Sequence, residues 1–229
     1  MAPSAARRAG GSPVATTIAK VRIYTRRGDD GTTGLLYGGR VTKASPRIEL
    51  NGAVDEAQAA LGSARAESDP GSELDELLVV LERELYVLMA EVATAAENRG
   101  KLVAGESLVT EPMVLRLEEW IDRLSERFPM PAEFVVPGAN RAAAALDVAR
   151  TVVRRAERVL ASMPPLHEAG RRAKGRTVGS AGRDPAHGEP SHVGPYLNRL
   201  SDLLWTMARW QEGEVHLAAR DRPRRRGRG

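Results

Sequence analysis

Apolar residues recur through much of this chain at steps of three and four, the spacing that gathers them on one side of an α-helix. In a first stretch, about residues 46–67, Leu50, Val54, Ala57, Leu61 and Ala64 keep that step. A second, about residues 72–97, carries Leu74, Leu78, Leu81, Leu85, Leu88, Val92 and Ala95, the strongest period in the sequence. A third begins at Thr110 or Glu111, has Pro112 near its first turn, and presents Val114, Leu117, Ile121 and Leu124 before Pro129 and Pro131 end it. Proline is tolerated there because a first-turn N–H has no intrahelical partner. The fourth starts near Asn140, with Ala145, Ala149, Val152, Ala156 and Val159 as its stripe, and Pro164-Pro165 stops it. The fifth runs from about Gly194 to His216, with Leu197, Leu200, Leu204 and Met207 on one side.

The stretches between these helices lack such a period. Residues 1–19 are small, polar and rich in Pro and Gly, and read as a disordered N-terminal extension. Lys20 to Gly39 is Gly- and Thr-rich and predicts an ordered loop, with a brief extended stretch at Val21-Arg22-Ile23-Tyr24. Glu133 to Gly138 is a short apolar segment closed by a Pro-Gly turn. Residues 164–193, longer than a bundle connection needs, read as a flexible insertion. One helical domain over residues 20–213 follows, with a basic disordered tail at 214–229.

Composition supports a helical reading. Aromatic residues are only 4% of the chain against 42% hydrophobic, so Leu, Ala and Val must do the packing. Strands enrich Tyr, Phe and Trp, whereas helical bundles do not need them. The predicted fold is all-α: a five-helix bundle with an ordered Gly-rich N-terminal loop. The absence of Cys excludes disulfides, thiolate metal sites and thiol nucleophiles. It fits a reducing compartment. No apolar run approaches a membrane span, and no apolar segment follows Arg7 and Arg8 to make a secretory signal. A cytoplasmic location without membrane contact is the expectation.

Charge changes the picture by its placement. The formal net charge is +4, yet residues 220–229 alone carry +5 and residues 1–20 carry +3, leaving residues 21–219 at −4. A nucleic-acid partner is therefore suggested by the tails and not by the body. An Arg/Gly tail can bind RNA or DNA electrostatically, but no recognition fold accompanies it.

Candidate chemistry sits in four places. Tyr24 to Gly34 spaces Gly28, Gly31 and Gly34 by threes among Thr25, Thr32 and Thr33, with Arg26, Arg27 and Lys43 to add charge. Such a loop is either a cradle for an anion or a solvated polar turn; it lacks the ending of a Walker loop. On the fourth helix Arg150, Arg154 and Glu157 share a face that Arg158 continues, with Arg155 beside it. Crowded guanidiniums meet either a phosphate or solvent and acids. On the first helix Gly52 costs roughly 1 kcal/mol relative to Ala, which close packing or a ligand would offset. Asp55, three residues on, is either a surface acid or a partner for one of those arginines. On the fifth, Asn198 and Asp202 lie one turn apart, and a mid-helix Asn calls for a hydrogen-bond partner. His167, His187, His192 and His216 show no metal-ligand spacing. Phe134 alone would be read as core.

Together these segments resemble the PduO-type ATP:cob(I)alamin adenosyltransferases. YTRRGDDGTTGLLYGG resembles that family's Tyr-Thr-Lys-x-Gly-Asp-x-Gly-x-Thr loop, and SPRIELNGAVDEAQAALGSARA its Asp-Pro-Arg helix. FVVPGANRAAAALDVARTVVRRAERVL resembles its Phe-x-x-Pro-Gly to Arg-Arg-Ala-Glu-Arg stretch, and YLNRLSDLLWTMARW its Tyr-Leu-Asn-Arg-Leu-Ser-Asp segment. The resemblance spans about residues 20–212. It implies a trimer with ATP bound between subunits, and transfer of the 5′-deoxyadenosyl group of ATP to the cobalt of cob(I)alamin, giving adenosylcobalamin and tripolyphosphate. It implies ATP contacts at Thr25, Arg26, Arg27, Gly28, Thr33, Gly34, Lys43, Arg154, Arg155, Glu157, Arg158 and Asn198, and Mg²⁺ at Glu157. It further implies a pair of Asp55 with Arg150 across the subunit boundary, and Phe134 against the lower face of the corrin. With Arg154 these three form the expected catalytic set. A cobalamin reductase and an adenosylcobalamin-dependent mutase are the implied partners. Arg26 stands where the family usually has Lys, Gly34 for Ser or Thr, Ala139 for a second Gly and Asp147 for His. The departures at Arg26, Gly34 and Asp147 keep a second reading open, a trimeric cobalamin or nucleotide carrier without catalysis.

Overall fold

In the computed structural model, residues 23–166 and 191–212 are described. The predicted N-terminal extension, nearly all of the predicted insertion, the basic tail, and His167, His187 and His216 lie outside them. Five long helices form: α1 (Pro46–Ala66), α2 (Glu73–Val92), α3 (Glu111–Ser125), α4 (Arg141–Ala161) and α5 (Val193–Gln211). A six-residue 3₁₀ helix, Ala96–Lys101, separates α2 from α3. The fold is thus mostly helical but not all-α. Two short strands, β1 (Thr32–Gly34) and β2 (Arg40–Thr42), pair antiparallel with Thr33 opposite Val41. The extended stretch falls within the Gly/Thr-rich loop and not at Ile23 and Tyr24, which are irregular and exposed; Val21 and Arg22 lie outside the described residues.

Successive helices alternate in direction, as their end contacts show. Arg47 at the start of α1 donates to the carbonyls of Val92 and Thr94, at 2.5 and 2.8 Å. Glu73 at the start of α2 pairs with Arg123 and Arg127 at the end of α3. Asn140, the N-cap of α4, accepts from Ala143 N at 2.8 Å and donates to Gln211 O at 2.6 Å, tying that helix start to the end of α5. Packed pairs run α2–α1–α4–α5–α3. Leu50, Leu61, Leu78, Leu81, Leu85, Leu88, Leu117, Leu146, Leu197 and Leu200 are all fully buried along their shared seam. Nearly all of that core comes from the periodic positions.

Three helices differ from the periodicity in extent or face. The second helix ends at Val92, not Glu97. Its last carbonyls are taken from outside: by Arg47, and by Leu36 N, which donates to Ala93 O at 2.9 Å. The chain therefore leaves the helix there. In α4 the buried arc is Ala142, Ala143, Leu146, Asp147, Ala149, Val153 and Ala156, while Ala145, Val152 and Val159 are only half-buried. This helix packs against both α1 and α5, so its buried face is wider than a single stripe and turned by about one residue. The fifth helix ends at Gln211, short of His216.

Buried carboxylates join the elements. Glu84 of α2 accepts from Tyr196 Oη of α5 at 2.8 Å and pairs with Arg116 of α3. Glu91 accepts from Val109 N at 2.8 Å and Ser191 Oγ at 2.6 Å, and pairs with Arg99 at 2.9 Å. Each charge has its partners, as burial demands.

Candidate functional site

The segment after α3 cannot be helical, because Pro129, Pro131 and Pro137 break it, and Gly138 turns the chain with φ +111°. Phe134 therefore stands on an irregular strap, 88% exposed. That excludes core packing for it. With exposed Met130 and Val136 on the same strap it forms an apolar patch, the kind of surface that marks a binding site. The strap forms one wall of an open cavity of about 980 Å³. The opposite wall is Asp147, Arg150 and Arg154 of α4 with Ser201, Asp202, Trp205 and Arg209 of α5.

The site thus sets an apolar ring across from guanidiniums. Arg154 is exposed, and its backbone carbonyl accepts from Arg158 Nη1 at 3.1 Å. Arg150 is held at Nε by Asp147 at 3.2 Å. Arg155 pairs with Glu56 of α1. Glu157 accepts from Asn198 Nδ2 at 2.9 Å, which supplies the partner a mid-helix Asn needs. Asn198 in turn accepts from Arg199, which Glu118 of α3 holds at 2.7 Å. So Arg150 and Arg154 share the cavity with Phe134, Glu157 and Asn198 meet each other, and Arg155 has an acid of its own.

The Gly-rich loop is a separate unit. Arg40 on β2 organises it, donating to Arg27 O at 2.5 Å and to Thr32 Oγ1 at 2.5 Å, and lying 3.6 Å from Asp30. Asp30 accepts from Thr32 Oγ1 at 2.7 Å and Thr32 N at 2.9 Å, and these bonds hold its carboxyl below the usual range. Thr25 Oγ1 receives Arg27 N at 3.5 Å. Thr33 and Gly34 are in the hairpin. Gly28 leaves little room for a side chain: a Cβ there would meet Lys43 Nζ and Thr32 O, each at 3.1 Å, so a neighbour would have to shift by a few tenths of an ångström. Arg26 adopts φ +59°, rare for a residue with a side chain, and its guanidinium lies 5.7 Å from the Tyr24 ring centre. Arg26, Arg27 and Lys43 are exposed.

Among the described residues, no hydrogen bond or ion pair joins residues 24–43 to α4 or α5. Asp55 is also apart, exposed in a groove of about 500 Å³ between α1 and α2 with Gln58, Arg65, Glu82 and Tyr86. A Cβ added at nearby Gly52 would meet nothing within 4 Å, so packing within the chain does not explain that glycine. Sequence reasoning missed Arg40, Arg209 and Trp205. An arginine that organises a loop looks like any surface arginine until the hairpin brings it across to Arg27 and Thr32. No described group of three or more His, Asp or Glu can hold a metal ion by itself.

With this geometry in view, relatives can be compared. A family model described as cobalamin adenosyltransferase matches residues 23–211. The corrinoid adenosyltransferase of Citrobacter freundii is 40% identical over 191 residues, 83% of this chain and 95% of that protein. That of Mycobacterium tuberculosis is 36% identical over 190 residues, 82% and 87% of the two chains. Among solved structures, a phenylalanine-to-histidine variant of the PduO-type ATP:corrinoid adenosyltransferase from Lactobacillus reuteri, complexed with cobalamin and ATP, superposes with a TM-score of 0.65 at 26% identity. The likeness covers 82% of this chain and 90% of that one. This chain belongs to the cobalamin adenosyltransferase family.

Proposed function

We propose that this protein transfers the 5′-deoxyadenosyl group of ATP to the cobalt of cob(I)alamin, releasing adenosylcobalamin and tripolyphosphate. The observation that carries the reading is Phe134, held out of the core and facing Arg150 and Arg154 across one cavity. The nucleophile, Co(I), belongs to the corrin substrate, so the protein needs no nucleophile of its own. That agrees with the lack of Cys and with a site wall of guanidiniums, carboxylates and an aromatic ring. Phe134 supplies an apolar surface that disfavours water and the axial base at cobalt. Arg150 and Arg154 supply positive charge where the polyphosphate leaves, with Arg150 held in place by Asp147. The proline-bounded strap and α4 together orient C5′ toward cobalt.

The remaining site residues complete ATP binding in a homotrimer. Thr25, Arg26, Arg27, Gly28, Thr33, Gly34 and Lys43 bind ATP from one subunit, and Arg154, Arg155, Glu157, Arg158 and Asn198 from the next. Asp55 pairs with the neighbour's Arg150. What supports this is the division within a single chain: the loop's cations are exposed and among the described residues have no bonds to α4 or α5, exposed Asp55 lies apart from Arg150 in the groove between α1 and α2, and a Cβ at Gly52 would meet nothing within 4 Å. Glu157 fits Mg²⁺ that arrives with ATP, because such an ion takes one or two carboxylates plus phosphate oxygens and needs no protein cage. Mg²⁺ there adds charge neutralisation for the leaving polyphosphate. A reductase that supplies Co(I) and a mutase that consumes the product are the partners this chemistry calls for, in the cytoplasm.

The test is an anaerobic assay with ATP, Mg²⁺ and chemically reduced cobalamin. A light-sensitive Co–C product and stoichiometric tripolyphosphate are expected. No product under strictly reducing conditions would sink the reading, and adenosylcobalamin binding without turnover would favour a carrier. Light scattering of the purified protein, expected at three times the chain mass, tests the trimer.

A further inference from the structure

Asp147 is the one acid in the buried arc of α4, and it lies one turn before Arg150. Its Oδ1 accepts from Arg150 Nε at 3.2 Å, and its Oδ2 from Arg209 Nη2 at 2.6 Å. Arg209 is itself clamped: Glu212 Oε1 accepts from Nη2 at 2.8 Å, and Glu212 Oε2 lies 2.6 Å from Nε. The Arg209 guanidinium also lies 5.6 Å from the Trp205 ring centre. Asp147, Arg209 and Glu212 are only 5%, 3% and 7% exposed.

Buried charges persist only when matched. Here they alternate inward to outward: Glu212, Arg209, Asp147, Arg150. Glu212 already balances Arg209, so the charge of Asp147 is matched by Arg150 at the open end of the row. The row is anchored on two helices, because Arg209 belongs to α5 and Asp147 to α4.

We propose that Asp147 is a positioning residue for the adenosyl transfer. It holds Arg150 by Nε, which leaves both Nη groups for the neighbour's Asp55 and the ligand, on a stem placed before the ligand arrives. This rests on the adenosyltransferase reading of the cavity. A free arginine stem must lose rotamer freedom when it binds, whereas a pinned one has less to lose. Asp147 acts only through Arg150, and its removal therefore costs turnover more than ATP binding.

Asp147→Asn keeps the shape and removes the charge, while Arg209 keeps Glu212. Expected is a fall in kcat of about tenfold with the KM for ATP changed less than about twofold. In an Arg150→Ala background the same substitution should cause no further loss of kcat. An unchanged kcat, a loss confined to KM, or a full multiplied loss in that background would overturn the proposal. Thermal midpoints of the wild type, both single variants and the double variant provide a readout without turnover. Non-additive shifts support the contact and additive shifts overturn it. A wild type that makes no product defeats the adenosyltransferase reading and leaves the contact to be judged by those midpoints.

Discussion

The arginines of α4 and the cations of the Gly-rich loop both offer positive charge, yet they are secured in different ways. Arg150 is locked by a row of buried carboxylates whose far end is Glu212 of the α5 C-cap. The loop is held by its own hydrogen bonds, with Arg40 and Asp30 at the centre, and its Arg26, Arg27 and Lys43 stay exposed. In the first region Arg150 is fixed by the core, so its geometry is ready before any ligand arrives, with exposed Arg154 one turn on along the same helix. The second is tied to the end of α2 at Leu36, and what its exposed cations meet depends on what docks beside them. In the proposed trimer that is the neighbouring subunit, which gives each ATP a rigid wall and an adaptable one.

The largest effect should come from the rigid wall. Arg154→Ala is expected to cut product formation by about 10²–10³-fold with unchanged far-UV circular dichroism, since one well-placed charge on a developing anion is worth that much. Full activity in that variant would mean that the Arg face is only solvated. Phe134→Ala should follow, with a loss of about tenfold or more in turnover but a thermal midpoint within about 2 °C of wild type. An 88% exposed ring contributes little to folding. A large fall in midpoint would return Phe134 to a structural role.

The loop should respond through affinity. Arg40→Ala removes the bonds to Arg27 O and Thr32 Oγ1. Expected is a KM for ATP raised by about tenfold, with kcat less affected, because the loop loses order and not chemistry. Steady-state kinetics check it, and a loss in kcat alone would show that the loop is as rigid as α4. Gly28→Ala brings a methyl against Lys43 and a backbone oxygen and should raise the same KM by a few-fold.

The smallest effect concerns stability alone. Burial pushes the Tyr196 phenol well above its ordinary value. Its folded pKa therefore lies above the unfolded one, near 10, so its contribution is present below that pH and is lost as pH rises beyond it. Tyr196 phenolate absorbance should appear only together with unfolding. Tyr196→Phe should remove that part of the alkaline loss, at the cost of leaving Glu84 without its hydroxyl donor. Phenolate formation at Tyr196 in folded protein would contradict the burial.

The bundle was readable because a 3.6-residue period records which face is buried, and Leu50 through Met207 follow it. The resemblance carried the site residues, since type and order suffice for it. Where α2 stops was not readable, because Arg47 and Leu36, distant in sequence, take the last carbonyls. The residue pattern alone also left Phe134 as core, and only the resemblance set it against a ligand, since an aromatic between prolines looks like core until the strap is seen to hold it away.

The sequence by itself determined the helices, the Gly-rich loop and the chemical inventory: arginines, carboxylates and no thiol. These are local properties of residue type and spacing. Only the tertiary structure decided which charges are matched. Asp147, which the sequence marked only as a departure from the family's usual His, is the link between Arg150 and Arg209 across two helices. Pairing depends on which atoms packing brings within about 3 Å of one another, and no one-dimensional period contains that distance.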